Sequence, residues 1–140
     1  MLKHIAIKHS NIHGLGVFAE EDIGVGEIII DWSGCTEVLN KQEIQRLPDD
    51  ERKNLSYIDG QYILFKPPAR FVNHSCNPNA RGAKGYDVAI RHVARGEEIT
   101  VDYVIEQVPG LNFECKCGTS SCRGFLTIPA QAEHGPENSL

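Results

Sequence analysis

The chain has 140 residues, which is enough for one hydrophobic core and too short for two substantial domains. Its apolar fraction of 41% and charged fraction of 24% are typical of globular proteins and exclude collagen-like and low-complexity classes. The net charge of −5 lacks the basic excess of nucleic-acid-binding proteins and favours a cationic partner, such as a lysine-rich peptide.

The sequence contains no sign of membrane insertion or secretion. No stretch approaches the roughly 20 apolar residues of a membrane span, and the N-terminus lacks the apolar segment of a signal peptide. Three of the five cysteines crowd into residues 115–122, which is more typical of metal ligation than of a secreted disulfide framework. We therefore expect an intracellular protein, cytoplasmic or nuclear, without a membrane partner.

Short runs with the two-residue periodicity of half-buried strands recur along most of the chain. The first covers residues 2–8, where Ile5 and Ile7 share one face. Further runs are separated by turns that contain glycine. They cover residues 17–19, 27–31, 62–65, 88–93 and 99–103. The pattern predicts a mainly β protein.

Residues 40–55 interrupt this β pattern. Asn40 can cap a helix with Glu43 three residues later, and Pro48 breaks or restarts that helix at Asp49. The segment therefore predicts one or two short helices. Residues 129–140 are small and polar and include Pro136, which predicts a frayed tail.

The cysteines of residues 115–122 suggest a metal site. Cys115, Cys117 and Cys122 offer three thiolate ligands within eight residues, and structural zinc sites take four ligands in a tetrahedron. Cys35 and Cys76 are the two cysteines available as the fourth ligand, and spacing alone does not choose between them. Buried cysteines without metal are the alternative for any single position.

Two other segments carry unusual groups. Residues 71–79 pack polar side chains after an apolar pair, and from the residues alone His74 is a structural histidine or, with Cys76, a metal ligand. The glycines Gly14 and Gly16 form a turn or allow a ligand to approach the backbone closely. They lack the third glycine and the strand-to-helix setting of a dinucleotide fingerprint.

Three runs in order carry a resemblance to a known family. The runs NHSCNPN (73–79), GEEITVDY (96–103) and CKCGTSSCRG (115–124) resemble the SET domain followed by its post-SET zinc motif. The run GLGVFA (14–19) resembles the glycine motif near the N-terminus of that family. The resemblance covers residues 5–127.

The resemblance implies the SET-domain fold, which consists of several small twisted sheets with a pseudoknot between the segments around Asn73 and Tyr103. It divides the chain into a SET domain (3–104), a post-SET zinc-binding segment (105–128) and a flexible tail (129–140). The residues before Gly14 contain no cysteine-rich segment of the kind that precedes many such domains, and the stretch between Gly34 and Tyr62 is short. The resemblance therefore leaves the substrate protein open.

The resemblance also assigns site residues. Tyr103 is implied to be the active-site tyrosine, and Tyr57 resembles a second tyrosine near the methyl donor, with Tyr62 as a competing candidate. The residues implied to contact S-adenosylmethionine are Gly14, Leu15, Gly16, Tyr57, Asn73 and His74. The implied zinc ligands are Cys76, Cys115, Cys117 and Cys122, which leaves out Cys35.

The activity implied is that of a protein-lysine N-methyltransferase, which moves a methyl group from S-adenosylmethionine to the ε-amine of lysine in a histone or another protein. Two other classes are weighed against it. A non-catalytic SET-like module that binds a peptide would be expected to lack Tyr103 or Asn73, and both are present. A plain zinc-binding interaction domain would explain the cysteines but not these two residues.

Overall fold

The computed structural model describes residues 4–52, 55–58, 60–83, 85–106 and 112–127. Within these ranges the chain forms twelve strands and two short α-helices, so the prediction of a mainly β protein is confirmed. The predicted frayed tail lies outside the described residues. The elements in chain order are β1 (Ile5–His9), β2 (Leu15–Ala19), β3 (Ile28–Asp31), β4 (Thr36–Leu39), α1 (Lys41–Gln45), α2 (Asp49–Arg52), β5 (Leu55–Ile58), β6 (Gln61–Phe65), β7 (Asn73–His74), β8 (Ala80–Ala83), β9 (Tyr86–Ala89), β10 (Glu98–Val101), β11 (Asn112–Glu114) and β12 (Phe125–Thr127).

A four-stranded sheet with the order β1-β2-β10-β7 lies at the centre of the molecule. Val17 of β2 pairs with Ile7 on one side and with Ile99 of β10 on the other. On the far side β10 pairs with β7 in parallel, and Thr100 lies opposite Asn73. This sheet therefore joins the glycine segment, the strand before Tyr103 and the Asn73 segment, which are far apart in sequence.

The remaining strands form two three-stranded sheets, with the orders β3-β9-β8 and β4-β6-β5, and the separate hairpin β11-β12. The main core forms where side chains of the central sheet meet those of β3, β8 and β9. Val17, Ile23, Val93 and Ile99 are completely buried there. Burial of such a side chain contributes about 1.5–3 kcal/mol, so this core is the main source of stability.

The helical segment follows the sequence signals closely. The Asn40 side chain accepts a hydrogen bond from the Glu43 backbone N–H, and the Glu43 carboxylate accepts one from the Asn40 N–H, which is a capping box. Helix α1 ends before Pro48, and α2 starts directly after it. The prediction of one or two short helices is confirmed. No described helix is long and apolar enough to span a bilayer.

The predicted strand over residues 88–93 differs from the structure. Strand β9 begins earlier, at Tyr86, and ends at Ala89, and Val93 forms only an isolated bridge with Ile23. The Ile90 N–H donates to the Asn79 carbonyl, which continues the β8–β9 register by one residue, and residues 90–91 then form a bend. The apolar pattern continues past the end of the strand because Val93 is itself completely buried.

Candidate functional site

The four cysteines Cys76, Cys115, Cys117 and Cys122 lie together after β7 and between β11 and β12. Their sulfur atoms all lie within 4.8 Å of one another, and the Sγ atoms of Cys76 and Cys115 are 3.8 Å apart. A tetrahedron with zinc–sulfur bonds of about 2.3 Å places its sulfurs about 3.8 Å apart. The donor set and its spacing therefore fit a tetrahedral thiophilic ion.

The thiols of this cluster have unequal acidities. Burial raises the pKa of the Cys117 thiol, but hydrogen bonds from the Thr119 hydroxyl and from backbone amides outweigh it and bring the pKa to about 6. Burial raises the pKa of the Cys115 thiol to about 12. Deprotonation of Cys117 therefore costs less free energy than deprotonation of Cys115, and a cation bound by these thiols would favour both thiolates.

Cys35 lies apart from the cluster. It is 3% exposed within the main core, and its thiol donates to the Asp31 carbonyl at 3.5 Å. Burial raises the pKa of this thiol, so it stays protonated. Of the two cysteines that spacing alone leaves open as the fourth ligand, the structure brings Cys76 into the cluster and places Cys35 in the core.

The buried Asn73 side chain holds the glycine segment against the central sheet. Its amide nitrogen lies 3.0 Å from the carbonyl oxygens of His13 and Leu15 and 2.8 Å from a carboxylate oxygen of Glu98. A Cβ atom on Gly16 would overlap this Glu98 carboxylate, so any other residue here would push the carboxylate from its position. Because β2, β7 and β10 converge at this point, the backbone of residues 14–16 lies beside Asn73.

The His74 imidazole is enclosed by protein. Its Nδ1 accepts a hydrogen bond from the Tyr103 backbone N–H at 3.0 Å, and its Nε2 lies 3.3 Å from the Cys76 sulfur. Burial lowers the pKa of His74 and outweighs the opposite effect of the Asp102 carboxylate 3.8 Å away. Both ring nitrogens therefore contact the protein, and the whole residue is only 3% exposed.

Tyr103 lies just beyond the end of β10, beside β7. Its hydroxyl donates to the Val72 carbonyl at 2.6 Å, and its ring packs against the main core. Burial raises the pKa of this hydroxyl, and the Glu98 and Asp87 carboxylates add to the effect. The hydroxyl is therefore neutral, and its oxygen lone pairs remain able to accept a hydrogen bond.

The two candidate tyrosines of the β5–β6 hairpin contact each other. Tyr57 lies opposite Tyr62 in the hairpin, and their ring centroids are 4.8 Å apart. The Tyr57 hydroxyl is buried and has no hydrogen-bond partner among the described residues. A buried hydroxyl without a partner costs about 1–3 kcal/mol, so this group fits a place where a ligand supplies the partner.

The β11–β12 hairpin covers the region of His74 and Tyr103. The ring of Phe113 lies 6.2 Å from that of His74 and 6.5 Å from that of Tyr103, between centroids. Leu126, opposite Phe113, is 1% exposed, whereas Phe125 is 58% exposed. The structure therefore places the Phe113 ring beside the rings of His74 and Tyr103.

Three charged residues near the site were not singled out by the sequence. Asp102 is 3% exposed and pairs with Arg123, whose guanidinium lies 2.7 Å from it. Burial raises the pKa of Asp102, but hydrogen bonds from Arg123 and Val104 outweigh it and hold that pKa below its ordinary value. Asp87 is 5% exposed, and burial raises its pKa to about 6. No sequence signal separates these carboxylates from exposed ones.

The fold and this site define a small β protein that combines a glycine segment, an asparagine and a buried tyrosine with a four-thiol cluster. The sequence model of the SET domain matches residues 14–104. The chain belongs to the SET-domain family, as the three motif runs predicted.

Similar proteins include histone methyltransferases. The chain is 33% identical, over 93% of its length, to a histone-lysine N-methyltransferase from Candida glabrata named as H3 lysine-36 specific. It is 32% identical, over 87% of its length, to human histone-lysine N-methyltransferase 2B. It spans only 20% of the first protein and 5% of the second.

A crystal structure of a Plasmodium falciparum protein, described as a candidate histone methyltransferase, has a similar fold. The match has a TM-score of 0.61 at 25% identity and covers 74% of this chain and 95% of that one. The predicted SET-domain fold of small sheets is confirmed, and the parallel β7–β10 pairing joins the two segments that the pseudoknot combines.

Proposed function

We propose that this chain is a protein-lysine N-methyltransferase that uses S-adenosylmethionine as methyl donor. The observation that carries the proposal is the convergence of the glycine segment, Asn73 and Tyr103 around β10, which pairs with β2 along one edge and with β7 along the other. A neutral, buried tyrosine hydroxyl suits the transfer of a methyl group to an uncharged amine, because its oxygen can accept a hydrogen bond from that amine.

The cofactor site that we propose combines the exposed residues Gly14 and Leu15 with buried groups, among them the Tyr57 hydroxyl. S-adenosylmethionine supplies a methyl group on a positively charged sulfur when it is bound. The residues that would hold it are Gly14, Leu15, Gly16, Tyr57, Asn73 and His74. Gly14 adopts a φ of 45°, which glycine tolerates, and the buried Tyr57 hydroxyl has no hydrogen-bond partner among the described residues. His74 would contribute its backbone, because its ring is enclosed by protein.

The substrate lysine must lose its proton before it can act as a nucleophile. With an ordinary pKa of about 10.4, the neutral amine costs about 4–5 kcal/mol at pH 7. An apolar channel beside a positive charge lowers this pKa by desolvation and like-charge repulsion, so no strong base is required. The Tyr103 hydroxyl gives its own hydrogen to Val72, so its oxygen can accept a hydrogen bond from the amine and orient it.

The cysteine cluster would hold one structural zinc ion. Four thiolates from Cys76, Cys115, Cys117 and Cys122 leave no open position for a reacting water. The ion would fasten the β11–β12 hairpin, and with it Phe113, over Tyr103. We assign residues 3–104 to the SET domain, 105–128 to the zinc-binding segment and 129–140 to a tail.

The net charge of −5 suits a basic protein substrate, and the matched relatives are named as histone-lysine methyltransferases. We therefore propose a lysine-bearing protein such as a histone as the substrate, in the cytoplasm or nucleus. Direct binding of nucleic acid or membrane plays no part in this proposal.

Donor binding and turnover test this function in two steps. S-adenosylmethionine should raise the melting temperature of the purified protein, because it binds only the native state. Labelled donor with mixed histones or a cell lysate should then yield methyl-lysine. Donor binding without product on any substrate would favour the non-catalytic peptide-binding module instead.

The Tyr103→Phe variant tests the assigned tyrosine. Removal of the hydroxyl alone should lower the methylation rate by roughly ten- to a thousandfold with little change in donor affinity. Tyr86→Phe is the matched control, because Tyr86 lies on β9 and is 37% exposed. Wild-type turnover in a folded Tyr103→Phe protein would remove this residue from the mechanism.

A further inference from the structure

Arg123 makes an unusual set of contacts for a residue that directly follows a cysteine of the cluster. Its guanidinium forms a two-pronged ion pair with Asp102, with N···O distances of 2.7 and 3.2 Å. The same residue donates to the Cys76 sulfur from its backbone N–H at 3.3 Å and from its side chain at 3.4 Å. Arg123 therefore contacts the thiol cluster and the end of β10 at once.

Asp102 passes this contact on toward the tyrosine. Its Oδ1 accepts a hydrogen bond from the Val104 N–H at 3.0 Å, and the same oxygen lies 3.8 Å from Nδ1 of His74. That His74 nitrogen accepts the Tyr103 backbone N–H. Asp102, which is 3% exposed, thus holds the backbone amide that follows Tyr103, and the His74 ring that accepts the Tyr103 N–H lies beside the Asp102 carboxylate without a hydrogen bond to it.

We propose that Arg123 is a positioning residue, which links the cysteine cluster through Asp102 to the backbone of Tyr103 and so sets the tyrosine for methyl transfer. This inference rests on the proposed function. Asp102 can hold its place only while its two oxygens have partners, because a buried carboxylate without its cation is unstable. Arg123 is the cation that pairs with both oxygens of Asp102.

The geometry requires the planar fork of arginine. A guanidinium can donate to both carboxylate oxygens and still direct an N–H at the Cys76 sulfur, whereas a lysine ammonium is a single point charge on a flexible stem. The substitution Arg123→Lys therefore keeps the positive charge near the cluster and removes the fork. This variant therefore tests whether the shape of the guanidinium, and not its charge alone, is needed to position Tyr103.

The test compares Arg123→Lys with Arg91→Lys in zinc-loaded protein. Arg91 is the matched control, because it also forms an ion pair, with Glu97 at 3.4 Å, and reaches the Asn77 carbonyl, but makes no described contact with Asp102. We expect kcat on a lysine peptide to fall roughly ten- to a hundredfold in Arg123→Lys, while KM and donor affinity stay within about twofold. Arg91→Lys should retain wild-type values.

A spectroscopic readout separates this inference from the proposed function. In ¹⁵N-labelled protein the Tyr103 amide signal reports its hydrogen bond to His74, and it should shift in Arg123→Lys but not in Arg91→Lys. An unmoved Tyr103 signal together with wild-type kcat in Arg123→Lys would overturn the proposal. If the wild-type protein methylates no lysine, the proposed function fails, and the Tyr103 signal alone still decides whether Arg123 positions this backbone. The zinc content of each variant is measured in parallel. If Arg123→Lys keeps its zinc, its Tyr103 amide signal and its kcat, Arg123 does not position Tyr103.

Discussion

The central sheet and the C-terminal segment of residues 112–127 are stabilised in different ways. The sheet and the strands packed on it bury Val17, Ile23, Val93 and Ile99 completely. Residues 112–127 bury only Cys115 and Leu126, and their hairpin has three residues in each strand. A two-stranded hairpin with so little apolar burial is marginal by itself in water.

This difference implies that apolar burial stabilises the core and that metal binding would stabilise the C-terminal segment. The core can fold from its apolar side chains, whereas the C-terminal segment depends on the thiol cluster and on the ion pair between Arg123 and Asp102. The segment also carries Phe113, which packs against Tyr103. A metal that stabilises the segment would therefore complete the site on a core that is already folded.

Removal of the metal should have the largest effect, because it should destabilise the C-terminal segment and leave the core folded. Structural zinc contributes about 10–16 kcal/mol of binding free energy, which is far more than the burial of one leucine supplies. A chelator, or the variant Cys115→Ser, should therefore abolish protection of the Phe113 and Leu126 amides in hydrogen exchange. The Ile99 amide in the core should keep its protection.

Trp32 provides the control for this experiment. It is the single tryptophan of the chain, and it belongs to the main core, so its fluorescence reports the core alone. A fluorescence change that accompanies the loss of zinc would show that core and segment unfold together. Unchanged protection of Leu126 without zinc would show that the segment needs no metal.

The variant Asn79→Ala should produce the opposite pattern. Asn79 is 1% exposed, and its side chain donates to the Glu98 carbonyl at 2.8 Å and accepts from the Thr100 N–H at 2.9 Å. Its loss leaves two buried backbone groups of β10 unpaired, so the free energy of unfolding should fall by about 2–4 kcal/mol. Urea unfolding followed by Trp32 fluorescence measures this loss.

Asn77→Ala is the control for Asn79→Ala. The described hydrogen bonds of Asn77 involve only its backbone, whose N–H donates to the Ser75 hydroxyl and whose carbonyl accepts from Arg91, so its side chain is dispensable. The zinc content of Asn79→Ala should equal that of the wild type while the protein is folded. Equal stability of the two variants would remove Asn79 from the account of the core.

Local signals in the sequence predicted local features well. The capping box of Asn40 and Glu43 and the break at Pro48 set the two helices where the structure has them, because these interactions span only a few residues. The parallel pairing of Asn73 with Thr100 joins residues 27 positions apart, and periodicity alone contains no such information. Only the order of the family motifs predicted that these segments meet.

The site was predictable to the extent that motifs name residues, and no further. The motif runs contain Asn73, Tyr103 and Arg123, but sequence does not show that Arg123 pairs with Asp102. The enclosure of the His74 ring was equally hidden, because it depends on how β7 and β10 lie beside the cluster. Pairing and burial are properties of the folded chain, and residue types alone do not determine them.

The buried carboxylate of Asp87 should make the stability of the core depend on pH. Burial raises its pKa to about 6 from an ordinary 3.8, so the native state favours the protonated form. Asp87 therefore contributes most to stability below pH 3.8, and this contribution is lost as pH rises through about 6. The advantage of Asp87→Asn over the wild type should grow by about 1.5 kcal/mol between pH 5 and pH 8.

The measurement for Asp87 is urea unfolding of both proteins at the two pH values, again by Trp32 fluorescence. Any protonation of the cysteine cluster at pH 5 affects both proteins alike and cancels in the difference. A difference in unfolding free energy that stays constant with pH would show that the Asp87 carboxyl ionises as readily in the folded protein as in the unfolded chain.

We expect the smallest change in stability for Cys35→Ser, which changes a cysteine of the core and leaves the four cysteines of the cluster intact. Burial raises the pKa of the Cys35 thiol, so it acts as a small apolar group with a weak donor to the Asp31 carbonyl. Serine can keep that hydrogen bond but loses apolar burial, so the free energy of unfolding should fall by about 1 kcal/mol.

Metal analysis of Cys35→Ser should find the zinc content unchanged, whereas Cys117→Ser should lose zinc and leave the unfolding of the core almost unaltered. Together the two variants test whether the five cysteines serve two separate purposes. Loss of zinc in Cys35→Ser, or full zinc retention in Cys117→Ser, would contradict the four-cysteine site, because a tetrahedral thiolate centre that lacks one of its ligands binds the ion far more weakly.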